Sequence, residues 1–230
     1  MPENYPRSEL LCDTAWLQQH LDDPAIRIID CGMPDAYNRA HILGAVGLPH
    51  PYLKGKDSPF IMDTQEFSEL MAVRGVSNDT LVILYDDNAS LYAARVWWCL
   101  DHYGHTSAKV LNGGFNKWLY EKRPLTAVVP HPELGRFRAR AKQEGCCTLD
   151  GLRQGIGDPN VVIWDTRSQE EWTGENDRGN KRKGRVPGAV HLEWRHLMEG
   201  PPERKFKPAE ELRRMFAGLG ITPEKRVVTY

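Results

Sequence analysis

Several residues in this chain are of types and spacings that could do chemistry. Asp165 and Arg167 stand one residue apart after the apolar run Val161-Val162-Ile163-Trp164. A carboxylate and a guanidinium so placed can fix charge at a strand end, or simply stiffen it as an ion pair. Lys181-Arg182-Lys183-Gly184-Arg185 is the densest basic run and suits the steering of a small anion, although short charge runs are more often solvated loops. His41 and Trp194 lie beside turn-like motifs, where a ring could line a site or merely pack. Cys12, Cys31, Cys99, Cys146 and Cys147 lack C-x-x-C spacing and read as reduced thiols, neither a disulfide framework nor a zinc site. Cys31 reads as an inert buried thiol and the vicinal Cys146-Cys147 pair as at most redox-sensitive.

The elements that must position these residues occur twice. Gly75-Val76-Ser77-Asn78-Asp79-Thr80-Leu81-Val82-Ile83-Leu84-Tyr85 and Gly220-Ile221-Thr222-Pro223-Glu224-Lys225-Arg226-Val227-Val228-Thr229-Tyr230 each read as helix stop, turn and β-rich strand, 145 positions apart. Asp30 and Asp165 are 135 apart, as are Tyr37 and Trp172. The Gly-Ala-Val triplets at Gly44 and Gly188 are 144 apart, so the second copy holds nine extra residues between aromatic and triplet. Asp13, Asp63 with Glu66, and Thr148 are expected helix caps, and Pro208 starts a helix through Leu212, Met215 and Phe216. Strands alternate with helices in both copies, which predicts α/β modules built on mostly parallel sheets flanked by helices. We expect domains over 8–126 and 145–230, joined by a linker at 127–144.

In the first copy the strand runs into Asp86-Asp87-Asn88-Ala89-Ser90 and a helix, so Asp86 is the counterpart of the position after Tyr230. A buried strand delivers its residues into a loop, and the first copy continues for 41 residues from Asp86 to Thr126. The second copy is therefore expected to be incomplete at Tyr230 and the polypeptide to run on.

Composition narrows the function. With 30 basic and 31 acidic residues the formal net charge is −1, against the basic excess of a nucleic-acid binder. No apolar run approaches the roughly 20 residues of a membrane span, and no signal-peptide layout is visible, so a cytoplasmic protein is expected.

Asp165-Thr166-Arg167-Ser168-Gln169-Glu170-Glu171-Trp172, Val186-Pro187-Gly188-Ala189-Val190 and the Gly220–Tyr230 stretch resemble the second half of a tandem-domain rhodanese. His41-Ile42-Leu43-Gly44-Ala45 and Leu111-Asn112-Gly113-Gly114-Phe115-Asn116-Lys117-Trp118 resemble the first. That family comprises the thiosulfate and 3-mercaptopyruvate sulfurtransferases. The resemblance implies two tandem rhodanese-like domains, the first catalytically silent because Asp86 replaces a nucleophile, the second truncated before its active-site loop. It implies a nucleophilic cysteine directly after Tyr230, a persulfide intermediate, and no metal or organic cofactor. The implied partners are a small anionic sulfur donor and a thiol or cyanide acceptor, with neither nucleic acid nor membrane involved. Asp165, Arg167, Arg185, Trp194 and His41 are the implied residues of the active-site wall, although Arg185 stands where the family often has histidine and His41 keeps it.

Two other classes stay open. One is a non-catalytic rhodanese-homology module that binds or regulates; a residue other than cysteine after Tyr230 would favour it. The other is a related phosphatase whose cysteine loop closes on an arginine, against which the double module argues.

Overall fold

A computed structural model describes residues 4–49, 53–55, 61–142 and 144–230. The chain divides into two compact units, the first comprising 1–145 and 200–206 and the second 146–199 and 207–230.

The first unit is built on β1 (Leu11–Cys12), β2 (Ile26–Asp30), β4 (Val46–Gly47), β5 (Leu81–Tyr85) and β6 (Ala108–Leu111). They form a five-stranded sheet in the order β1-β6-β5-β2-β4, every neighbouring pair parallel. The expected α/β class is thus borne out. The two-residue side-chain period sorts β2 and β5 onto two faces. Ile29, Val82 and Leu84 join Phe67 and Met71 of α3 (Thr64–Ala72) and Val96 and Leu100 of α4 (Leu91–His102). Ile28, Ile83 and Tyr85 join Leu17 of α1 (Thr14–Gln19) and Trp118 of α5 (Gly114–Tyr120). Both faces are covered, so the central strand β5, Leu81 to Tyr85, carries apolar residues throughout rather than alternating with polar ones.

Local signals set the helix starts. Asp63 accepts from the backbone N–H of Gln65 and Glu66, both at 2.8 Å, and Glu66 returns a bond to the Asp63 N–H, a complete capping box before α3. Asp13 accepts from Trp16 N–H at 2.7 Å to start α1. A short helix, α2 (Pro34–Arg39), and a two-stranded antiparallel pair of β3 (His41–Ile42) with β7 (Leu125–Thr126) complete the unit.

The segment after β7 is held to the first unit rather than spanning freely. Gly135 N–H donates to Ala72 O at 2.8 Å, Arg138 N–H to Asn78 Oδ1 at 2.9 Å, and Arg140 N–H to Tyr103 O at 2.9 Å. Phe137 and Ala139 are buried between exposed Arg136, Arg138 and Arg140, which is an extended strap with one apolar face. Residues 200–206 also belong here: Phe206 N–H donates to Asn112 Oδ1 at 2.9 Å, and the Tyr5 hydroxyl donates to Phe206 O at 3.1 Å.

The second unit holds α6 (Leu149–Gly155), β8 (Val161–Asp165), α7 (Gln169–Thr173), β9 (Val190–His191), α8 (Ala209–Gly218) and β10 (Arg226–Thr229). Its sheet has the order β10-β8-β9, again parallel, repeating the β5-β2-β4 core of the first. Trp164 packs edge-on against Phe216 of α8, ring centres 5.3 Å apart, while Thr148 caps α6. β5 lies between two strands and is almost wholly buried, whereas among the described residues β10 pairs with β8 alone and Val227 is 37% exposed.

Candidate active site

β8 ends in Asp165, whose side chain is fully buried. Arg167 clasps it: the Arg167 N–H lies 3.0 Å from Oδ1, Nε 2.9 Å from Oδ1 and Nη2 2.5 Å from Oδ2. The Tyr230 hydroxyl also donates to this carboxylate. Burial alone would raise the Asp165 carboxyl, but the Arg167 guanidinium, its backbone N–H and the Tyr230 hydroxyl outweigh that and hold it below its ordinary value. Tyr230 closes the arrangement by accepting at its hydroxyl from Val186 N–H, 3.0 Å, and at its carbonyl from Thr166 N–H, 3.0 Å, and Thr166 Oγ1, 2.9 Å.

A ring of aromatic and cationic contacts surrounds this knot. The Arg167 guanidinium lies 5.1 Å from the centre of the Tyr230 ring, and Nη2 donates to Gly184 O at 3.0 Å. Arg185 stacks over Trp172 at 4.2 Å, and the His191 ring stacks nearly parallel to that of Trp172, centres 4.8 Å apart. The His191 Nε2 meets Arg167 O at 2.9 Å, so the chain of contacts returns to its start. Trp194 opens a short 3-10 turn, its N–H donating to Thr166 O at 3.1 Å. Lys181, Arg182 and Lys183 are exposed, with Lys183 3.9 Å from Asp177.

The first unit repeats this backbone frame with other side chains. Ile42 N–H donates to the Tyr85 hydroxyl at 3.1 Å, Cys31 N–H to Tyr85 O at 2.8 Å, and Gly32 N–H to Asp30 Oδ1 at 2.8 Å. Glycine at 32 provides no guanidinium, and burial pushes the Asp30 carboxyl up to about 6 despite the Tyr85 hydroxyl and Gly32 N–H.

Immediately after β5, Asp86 is 1% exposed and sits at a convergence of backbone donors. Its Oδ1 accepts from Asn88 N–H at 2.8 Å and Ser90 N–H at 2.9 Å, and its Oδ2 from Tyr92 N–H at 2.7 Å and Ala93 N–H at 2.8 Å. These donors come from a tight loop and the first turn of α4, where unpaired N–H groups favour an anion. Burial raises the Asp86 carboxyl and the four donors pull the other way. Gly114 is required here: a Cβ would stand 2.4 Å from Asp86 O, to which Phe115 N–H donates at 2.8 Å.

Of the residues singled out from sequence, Asp165, Arg167 and Arg185 share one network in the second unit, and Trp194 adjoins it through Thr166. His41 lies in the first unit, fully buried, with Nδ1 2.8 Å from Tyr37 O and Nε2 3.1 Å from Val128 O, so it braces its own unit. Arg185 occupies the corresponding place: His41 stacks on Tyr37 at 4.0 Å as Arg185 does on Trp172. Sequence reading passed over the Tyr230 hydroxyl, Thr166 and His191. The repeat could have flagged the first two, since Tyr85 and Cys31 stand in the same places. Cys12 and Cys31 are buried thiols, pushed up to about 12 and well above the ordinary range, and are unsuited to nucleophilic work.

Residues 13–121 and 148–230 match the rhodanese-like domain family. The chain is 33% identical to the sulfur carrier protein TtuD of Thermus thermophilus, covering 98% of this chain and 83% of that protein. It is 30% identical to the thiosulfate sulfurtransferase of Azotobacter vinelandii, covering 99% of this chain and 84% of that protein. Its structure is similar to SseA, a 3-mercaptopyruvate sulfotransferase of Escherichia coli, with a TM-score of 0.86, 27% identity, and coverage of 96% of this chain and 87% of that one. Two matched segments, each carrying the same parallel strand core and the same backbone frame at its strand ends, place this chain in the rhodanese-like family.

Proposed function

We propose that this chain forms the two rhodanese-like units of a sulfurtransferase whose nucleophile is a cysteine directly after Tyr230 in the full polypeptide. The observation that carries this reading is the Asp86 loop. In the first unit the residue after the strand faces four backbone N–H donors, and the repeat puts the proposed cysteine at the same point of the second. Such a loop favours a thiolate over a thiol and holds a persulfide without any metal or organic cofactor.

In this mechanism the thiolate attacks the outer sulfur of thiosulfate, forming a cysteine persulfide and releasing sulfite. With 3-mercaptopyruvate it takes the thiol sulfur and releases pyruvate. A thiol or cyanide acceptor then attacks the outer sulfur and regenerates the thiolate. Asp165 and Arg167 act as positioning residues, fixing Tyr230 and so the start of the loop. Arg185, the exposed Lys181-Arg182-Lys183 run and Trp194 form the wall that an anionic donor meets. The first unit is silent, because a carboxylate at Asp86 cannot accept sulfane sulfur and repels an anion.

The free thiols suit a cytoplasmic setting. No helix among the described residues is long and apolar enough to cross a membrane, and the charge balance offers nothing to nucleic acid. The reading as a non-catalytic binding module has no observation in its favour.

The test uses the full-length polypeptide with thiosulfate or 3-mercaptopyruvate as donor and cyanide as acceptor. Replacing the cysteine after Tyr230 by serine is expected to abolish thiocyanate formation with both donors. Undiminished formation would overturn the assignment.

A further inference from the structure

The thiols of this chain fall into two classes. Cys12, Cys31 and Cys99 are buried in the first unit, while Cys146 and Cys147 are exposed. The exposed two are adjacent and lie outside any helix or strand, where the chain passes from the first unit to the second. Gly145, just before them, has a φ of +89° and open space on the side where a Cβ would project. The Cys147 thiol approaches its neighbour's carbonyl, Thr148 O, at 3.5 Å.

We propose that Cys146 and Cys147 form a dithiol acceptor that discharges persulfide sulfur as sulfide and closes into a reversible vicinal disulfide. This rests on the sulfurtransferase reading for its source of sulfane sulfur. In the first step one thiolate attacks the outer sulfur of a persulfide; a new S–S bond forms at the cysteine, the donor's S–S bond breaks, and the donor leaves as a thiol. In the second, the neighbouring thiolate attacks the inner sulfur of the new persulfide, and hydrosulfide leaves as the Cys146–Cys147 bond forms. The two cysteine thiols lose two electrons and the sulfane sulfur gains them, so no further oxidant is needed. A lone exposed thiol would stop at the first step.

Adjacency sets the character of the product. Consecutive Cα atoms stand about 3.8 Å apart across a trans peptide, closer than the roughly 4.4–6.8 Å of ordinary disulfides. The ring is therefore strained, and strained, exposed disulfides are the readily reduced ones. Freedom at Gly145 gives the backbone room to accommodate it. A cellular thiol then reopens the pair.

The experiment treats the full-length polypeptide with glutathione persulfide and, separately, with thiosulfate and with 3-mercaptopyruvate. Free thiols are then alkylated, the peptide holding Cys146 and Cys147 is weighed, and released sulfide is measured. With glutathione persulfide, the wild-type peptide is expected to resist alkylation, lighter by two hydrogens, with one sulfide released per disulfide. In Cys147→Ser and Cys146→Ser the remaining cysteine should keep one added sulfur and that sulfide should be missing. Equal sulfide from wild type and both variants, with no vicinal disulfide, would overturn the inference. Success with glutathione persulfide and failure with both thiosulfate and 3-mercaptopyruvate would uphold the dithiol chemistry and count against the sulfurtransferase reading instead.

Discussion

The ends of β2 and β8 share one backbone frame and carry opposite electrostatics. In both units a tyrosine hydroxyl accepts from a turn N–H and donates to a buried aspartate, and the residue after that aspartate donates to the tyrosine carbonyl. The first unit surrounds the frame with Asp30, whose carboxyl is pushed up to about 6, and with Asp86. The second surrounds it with Arg167 and Arg185. The comparison teaches that the fold fixes where the strand delivers its next residue, while a few side chains decide whether an anion is welcome there. A glycine at 32 against an arginine at 167 is one such difference, and a buried carboxylate filling its own donor loop is another.

The largest expected effect is at that loop. Asp86→Ala removes the acceptor from four N–H groups, those of Ser90 and Ala93 buried and those of Asn88 and Tyr92 half-buried, and should destabilise the first unit by about 3–5 kcal/mol. Denaturant unfolding combined with amide exchange at β5 measures it; a loss under about 1 kcal/mol would mean that water satisfies those donors and the loop is not built around its anion.

Next is the clasp peculiar to the second unit. Arg167→Ala leaves Asp165 buried with an unpaired charge, at a cost of about 3 kcal/mol. The same change should raise the Asp165 carboxyl toward the behaviour of Asp30, which carbon-13 detected titration would follow. An unchanged Asp165 titration would break the parallel between the two strand ends.

The pH dependence distinguishes the two aspartates by sign. Asp30 is raised in the folded state, so its contribution is full below about pH 4 and is lost as pH rises through about 6, an effect of roughly 2–3 kcal/mol. Asp165 is lowered, so its contribution is present above about pH 4 and is lost as pH falls further. Stability curves of Asp30→Asn should lose the decline between about pH 4 and 6 and keep the acid limb. Loss of the acid limb instead would reverse the assignment. The smallest effect is at Arg185→Gln, where an exposed cation–π contact with Trp172 contributes about 0.5–1 kcal/mol; a thermal shift of the second unit reads it.

Much of this comparison was legible in the sequence. The spacings of Asp30 with Asp165 and of Tyr37 with Trp172 located the frame, and strands β2, β5, β8 and β10 announced themselves as apolar, β-branched runs. The rest depends on partners distant in the chain. Strands β1, β3 and β7 have two residues each, too few to show a period. The strap at Phe137 and Ala139 buries only two apolar side chains among arginines, so its attachment rests on backbone hydrogen bonds that leave no compositional trace. Residues 200–206 join the first unit through Asn112, which nothing in their own composition predicts. Asp86 was legible as the counterpart of the position after Tyr230, but the four donors that make the position meaningful appear only once α4 is folded.

The most direct test is to weigh the full-length polypeptide after exposure to thiosulfate or, separately, to 3-mercaptopyruvate, with and without reductant, and map the added mass. The account predicts one added sulfur, removed by reductant, on the residue that follows Tyr230. No added sulfur with either donor, or a sulfur found at Cys146 and Cys147 with none after Tyr230, would contradict it.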